Sequence, residues 1–320
     1  MRHLFAAALL CFATPALAEV PRVVATTKPV HSLVAAVMGD LGTPALIVKG
    51  AASPHTYSLR PSDAAELEAA DVVFWTGHGM ELFLEDAIET LAPGASIVAL
   101  SDAPGIVLLP TREGGAFESH EHEGDEHDHD AEGHEHEHEG DEHAHEHERG
   151  GHDHEGHGEQ DMHFWLDPAN AGLMVSAIAE TLAAADPENA QSYAANAQRE
   201  RAALEALTAS LDARLAPVRD KPFIVFHDAY QYFERRFGLS VAGSITVTPD
   251  SQPSARRVNE LRDRLVSAGA VCVFAEPQFE PAIVQTIIGG TSARAGTLDP
   301  EGASLDDCLL YTSPSPRDRG

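Results

Sequence analysis

Short apolar runs, each followed by a stretch with helical spacing, recur along this sequence, and no other feature limits its choice of fold as strongly. Residues 22–25, 45–48, 72–75 and 97–100 are such runs, separated by helical patterns over 28–38, 62–70 and 80–91. The pattern returns at 223–226, 241–245 and 271–275, with helices expected over 230–237 and 254–267. A strand apolar at every position is buried on both faces, and helical crossovers join parallel neighbours. The expectation is an α/β protein of two doubly wound lobes.

Between the two blocks the composition turns helical. Residues 168–184 carry helical periodicity, and Asp186 followed by Pro187 is a cap with proline at the first helical position. From there to about residue 215 the chain is rich in Ala, Leu, Glu and Arg without glycine. One helix of roughly thirty residues, about 45 Å long, follows, long enough to bridge the two lobes. The expected division is a secretory signal at 1–18, a first α/β lobe at 19–168, linking helices at 169–216, a truncated second lobe at 217–306 and a non-native tail at 307–320. The signal rests on Arg2 and His3 ahead of an apolar run that ends in Ala16-Leu17-Ala18, a small-x-small cleavage site. The tail rests on its lack of periodicity and of continuity with what precedes it. No later run approaches the roughly 18 apolar residues of a membrane span, so membrane insertion is not expected.

Residues 117–159 interrupt the first lobe with 13 of the chain's 19 histidines and 18 acidic residues. Such a segment buries too little apolar surface to offset its ordering entropy, so disorder is expected. Its imidazoles, His120, His122, His127, His129, His134, His136, His138, His143, His145, His147, His152, His154 and His157, form a set of auxiliary ligands able to hold several Zn2+ ions weakly. The formal charge of −30 excludes nucleic acid and anionic membrane surfaces as partners, since both demand a basic patch. A cation is the natural ligand class.

Three of the remaining histidines occupy one topological rim. His55 follows a strand in SPHTY, His227 ends an apolar strand in FIVFHDAY, and His163 lies in DMHFWLDP where the insertion rejoins the fold. Loops at the carboxyl ends of parallel strands are where such sheets bind ligands. Three neutral imidazoles bind Zn2+ at about 2.0 to 2.1 Å and leave a fourth tetrahedral position for a carboxylate or water. Asp299 in GTLDP is the favoured carboxylate, with a turn or capping role before Pro300 as the alternative, and Asp228 is a candidate to orient an imidazole. His78 reads as a surface residue, Glu81 as a first-turn helix acid, and Tyr230, Tyr232 and Phe233 as core positions of a helix. No zinc-protease run, phosphate-cradling glycine loop or serine-hydrolase elbow is present, so no enzyme is expected.

The stretches SPHTYSLRPSDAAELEAADVVFWTG, DMHFWLDP, VFHDAYQYFERRFGL and CVFAEPQF resemble those of the periplasmic zinc-binding proteins of ABC transporters, a cluster that also holds manganese-binding and adhesin-type metal receptors. The resemblance runs from about residue 23 to 299, interrupted by the histidine-rich insertion. It implies a monomeric periplasmic receptor with metal held between two lobes, delivering Zn2+ to a membrane permease. His55, His163 and His227 match the family's ligand histidines and Asp299 its carboxylate position. Pro54 stands where some relatives have a metal-approaching glutamate. Cys272 matches a cysteine that pairs near the C-terminus in some members; with the tail set aside, Cys308 is no partner and no disulfide is expected. The rival readings are a manganese receptor of the same fold and, from another class, a zinc hydrolase.

Overall fold

In the computed structural model, residues 20–85, 87–112, 117, 160–246, 253–279 and 282–304 are described. The signal, the insertion with its 13 histidines, and the tail with Cys308 lie outside them, apart from Phe117 at the insertion's start.

The first lobe is a four-stranded parallel sheet, ordered β2-β1-β3-β4, of β1 (Val23–Ala25), β2 (Ala45–Leu46), β3 (Val72–Trp75) and β4 (Ser96–Ala99). Its helices are α1 (Lys28–Met38), α2 (Pro61–Glu68), α3 (Leu82–Glu85) and α4 (Ile88–Leu91). A two-stranded antiparallel clip follows, β5 (Leu109–Pro110) against β6 (Gln160–Asp161), so the two ends of the insertion are tied together. Next come α5 (Pro168–Ala185) and the long α6 (Ala190–Leu215), a helix of 26 residues.

The second lobe contains β7 (Phe223–His227), α7 (Gln231–Phe237), β8 (Val241–Thr246), α8 (Ala255–Ser267), β9 (Cys272–Ala275), α9 (Ala282–Ile288) and β10 (Arg294–Thr297). Its sheet is ordered β10-β9-β7-β8, again all parallel. Numbered within each lobe the two orders are identical, and both reverse direction between the first and third strands. That reversal opens a crevice at the carboxyl end of the sheet, where doubly wound folds take their ligands.

The strands sort their side chains by parity, as a two-sided sheet requires. Val23, Ala25, Val72 and Phe74 face one core with α1, α5 and α6; Val24, Val73 and Trp75 face the other with α2 and α4. In the second lobe Ile224, Phe226 and Val273 pack on α8 and α9, while Val225 faces a small cluster with Ala229 and Tyr230. Phe164 and Trp165, both fully buried, anchor the return of the insertion in the first core. At 150 to 250 Å² each, such aromatics contribute roughly 4 to 6 kcal/mol of burial apiece.

Two expectations are corrected. The single helix over 80–91 is two short ones, and Leu82 at the start of the first is 63% exposed. The long helix starts at Ala190, because Asp186 caps a 3-10 turn over 187–189 by accepting from Asn189 N. Among the described cysteines Cys272 is free and half-buried.

Candidate metal centre

Each of the three rim histidines is delivered by a different device. His227 is the last residue of β7, in the crevice between β7 and β9. His163 ends the short passage from β6 into a 3-10 turn whose Phe164 and Trp165 are sunk in the core. His55 sits in the turn after β2, its backbone N–H donating to Ser53 Oγ at 3.3 Å.

These elements bring the three Nε2 atoms together. His163 Nε2 lies 3.3 Å from His55 Nε2 and 3.2 Å from His227 Nε2. One ligand nitrogen from each ring falls within 4.8 Å of the other two, and among the described residues this is the group of three or more metal-type side chains so assembled. Two nitrogens bound tetrahedrally at about 2.05 Å lie about 3.3 Å apart. The two spacings made by His163 Nε2 match that value.

The opposite edges of two of these rings are held by buried carboxylates. His163 Nδ1 lies 2.8 Å from Asp161 Oδ1, and His227 Nδ1 lies 2.8 and 2.7 Å from the two Glu276 oxygens. With Nδ1–H donating outward, the Nε2 lone pair is turned to the centre, the tautomer a metal needs. Burial first, then His163 and His227, push the His55 imidazole well below its ordinary pKa. His163 is also held well below its ordinary pKa, by burial and then by His227, against a smaller pull from Asp228. For His227, burial acts downward, but the Glu276 charge and hydrogen bond together with the charges of Glu301 and Asp228 outweigh it, so its pKa is raised. Burial lifts Asp161 to about 6 against its hydrogen bonds from His163 and Gln231.

Asp299 is not brought into the group. Its oxygens accept from Ala303 N at 2.8 Å, from Ser304 N at 2.7 Å and from Ser304 Oγ, the turn role that was the alternative in the sequence. Asp228 does not orient an imidazole either, because its carboxylate pairs with Arg112. His78 is exposed, with its ring against Trp75. Glu81 precedes its helix and is fully buried, accepting from Thr26 Oγ1 at 2.6 Å and Thr76 N at 3.0 Å. It thereby ties the ends of β1 and β3. The turn that delivers it needs Gly77 at φ +136, where a Cβ would fall 2.2 Å from Ser101 Oγ.

Sequence reasoning passed over Asp161, Glu276 and Glu301. The first two carried a readable signal: an acid two residues before a candidate ligand, and an acid ending a buried strand. Glu301 is buried beside the centre with Oε1 unpartnered, and burial raises its pKa to about 8, countered by His227 and reinforced by Glu276, Glu81 and Asp299.

Residues 23–312 match the sequence model of a family described as "Zinc-uptake complex component A periplasmic". The chain belongs to this family. A relative of the zinc-uptake family from Brucella abortus, named high-affinity zinc uptake system protein ZnuA, is 57% identical over 285 residues, covering 89% of this chain and 85% of its own. One from Yersinia pestis with the same name is 39% identical over 314 residues, 95% and 91% of the two chains. Among solved structures, a crystal structure of ZnuA superposes with a TM-score of 0.69 at 24% identity, covering 89% and 93%. The laminin-binding protein Lmb of Streptococcus agalactiae does so with 0.70 at 24%, covering 91% and 94%. At that identity the structures speak for the fold, two α/β lobes with a long central helix. Membership of the zinc-uptake family makes the chain a periplasmic zinc-binding transport receptor and not an enzyme.

Proposed function

We propose that this chain captures one Zn2+ between its lobes on the Nε2 atoms of His55, His163 and His227 and, as a monomer, hands it to the permease of an ABC transporter. The observation that carries the reading is the convergence of three imidazole lone pairs at 3.2 and 3.3 Å, with two of the rings backed by carboxylates. Three nitrogen donors favour Zn2+ over Mn2+, which prefers more oxygen ligands. A single oxygen completes the shell. Water supplies it in this conformation, and Asp299 or Glu301 does so after a shift of the 299–304 turn. The histidines of the insertion act as a separate, weaker store of several ions.

A chelator competition on the full chain tests the ligand set. The wild type holds one tight Zn2+ that excess Mn2+ does not displace, and His163→Ala loses that site while keeping the weak ones. Retention of the tight site in His163→Ala rejects the assignment. Displacement by equimolar Mn2+ turns it into a manganese receptor.

A further inference from the structure

Arg112 stands two residues beyond β5, at the edge of the clip, and its side chain crosses to the second lobe. Nε lies 3.1 and 3.0 Å from the Asp228 oxygens, and Nη2 also bonds Asp228. Nη1 and Nη2 each reach a Glu234 oxygen at 2.8 Å. Both edges of the guanidinium are thus engaged, and the side chains are 22%, 7% and 11% exposed for Arg112, Asp228 and Glu234. A planar fork with two carboxylates in a half-dry setting is a directional tie, unlike an exposed ion pair.

The two ends of this tie sit beside two of the candidate ligands. On the first lobe, β5 pairs with β6 through Leu109 and Asp161, and Asp161 holds both the backbone N–H and Nδ1 of His163. On the second, Asp228 directly follows His227. We infer that Arg112 is a positioning residue for cargo retention, an interlobe latch that keeps His227 within bonding distance of His163. The inference rests on the three-histidine reading given above. Its neighbours in the same seam are neutral, Tyr232 donating to Asp161 O at 2.8 Å and Gln231 to Pro110 O at 3.0 Å. The other ion pair of α7, Arg236 with Asp167, is more exposed at 38% for the arginine.

A latch and a simple charge effect predict opposite signs. Without Arg112, the carboxylates of Asp161, Asp228 and Glu234 face one another uncompensated beside the histidines, and electrostatics alone makes the site more attractive to a dication. A broken latch instead speeds escape, since truncating one partner of a buried charge pair acts on the dissociation rate.

The experiment mixes the Zn2+-loaded full chain with excess chromophoric chelator in a stopped-flow instrument. Zinc held by the insertion leaves in a fast phase, and His163→Ala identifies the slow phase by abolishing it. Arg112→Gln is expected to accelerate the slow phase at least about tenfold without slowing association, Arg112→Lys to recover part of the loss, and Arg236→Gln to stay within about twofold of wild type. Glu234→Gln removes half of the fork while leaving Arg112 and Asp228 in place, and is expected to accelerate release about threefold; it decides the matter if Arg112→Gln does not fold. Slow phases unchanged in both variants, or slower in Arg112→Gln as pure electrostatics requires, overturn the latch. A slow phase that survives in His163→Ala overturns the ligand assignment instead.

Discussion

Replacing Glu276 by glutamine separates what its charge does from what its shape does. The carboxylate receives His227 Nδ1–H at 2.7 to 2.8 Å, with the two side chains 3% and 1% exposed. Glutamine keeps an oxygen acceptor in nearly the same volume, so the ring stays oriented while the negative charge that strengthens its Nε2 donor is lost. Removing such an outer partner costs about 10- to 100-fold in metal affinity, or about 1.4 to 2.7 kcal/mol. Acidity supplies a second readout. The Glu276 charge and hydrogen bond lead the influences that raise the His227 pKa against burial, ahead of Glu301 and Asp228, so the variant's imidazole titrates lower and competes less with protons. Its affinity deficit is therefore largest above the raised pKa of the wild-type His227 and shrinks as the pH falls. Chelator competition at several pH values between about 5.5 and 8.5 measures both. A Glu276→Gln affinity within twofold of wild type at high pH, or a deficit that grows on acidification, refutes the reasoning.

Other outcomes follow from the same geometry. Asp161→Asn keeps an acceptor for His163 Nδ1 but removes the charge behind it, and is expected to weaken zinc binding about tenfold, measured by the same competition. Zinc binding releases protons in amounts that increase as the pH is lowered toward the raised pKa of His227, because that imidazole must be neutral to bind; calorimetry in buffers of differing ionisation enthalpy counts them. Leu33→Ala, at a fully buried position of α1, costs about 2 to 5 kcal/mol in denaturant unfolding of the zinc-free chain. Arg236→Gln costs less than about 1 kcal/mol in the same assay, as partly exposed ion pairs do.

Much of the architecture was legible because burial on both faces leaves an unambiguous mark. Val72–Trp75 is apolar at every position and is a central strand, and Lys28–Met38 keeps its apolar spacing until Gly39 and is a helix with those bounds. Elements held mainly by distant partners were not legible. The β5–β6 clip has two residues a side and pairs positions 109 and 161, so no local periodicity announces it. That three histidines would gather was readable from His55 and His227 after strands and from His163 where the insertion rejoins the fold. The fate of Asp299 was not, because it depends on the backbone N–H groups of Ala303 and Ser304 folding back on it. Tyr232 shows the same limit: its helical spacing marks a core residue, but only the fold reveals that its hydroxyl donates to Asp161 O and accepts from Leu109 N.

The donors of the centre are far apart along the chain, 108 residues between His55 and His163 and 64 between His163 and His227. An ion shared by all three is a removable cross-link that closes two long loops at once. A cystine bridge of that span acts by constraining the unfolded chain, whereas an ion held by the folded chain and released on unfolding adds stability by mass action, about 4 kcal/mol at a thousandfold excess over its Kd. Thermal denaturation then reports cargo, and whatever strips the metal unfastens both loops in one stroke. On the proposed ligand set, loading the receptor fastens its lobes together, and emptying it removes that fastening.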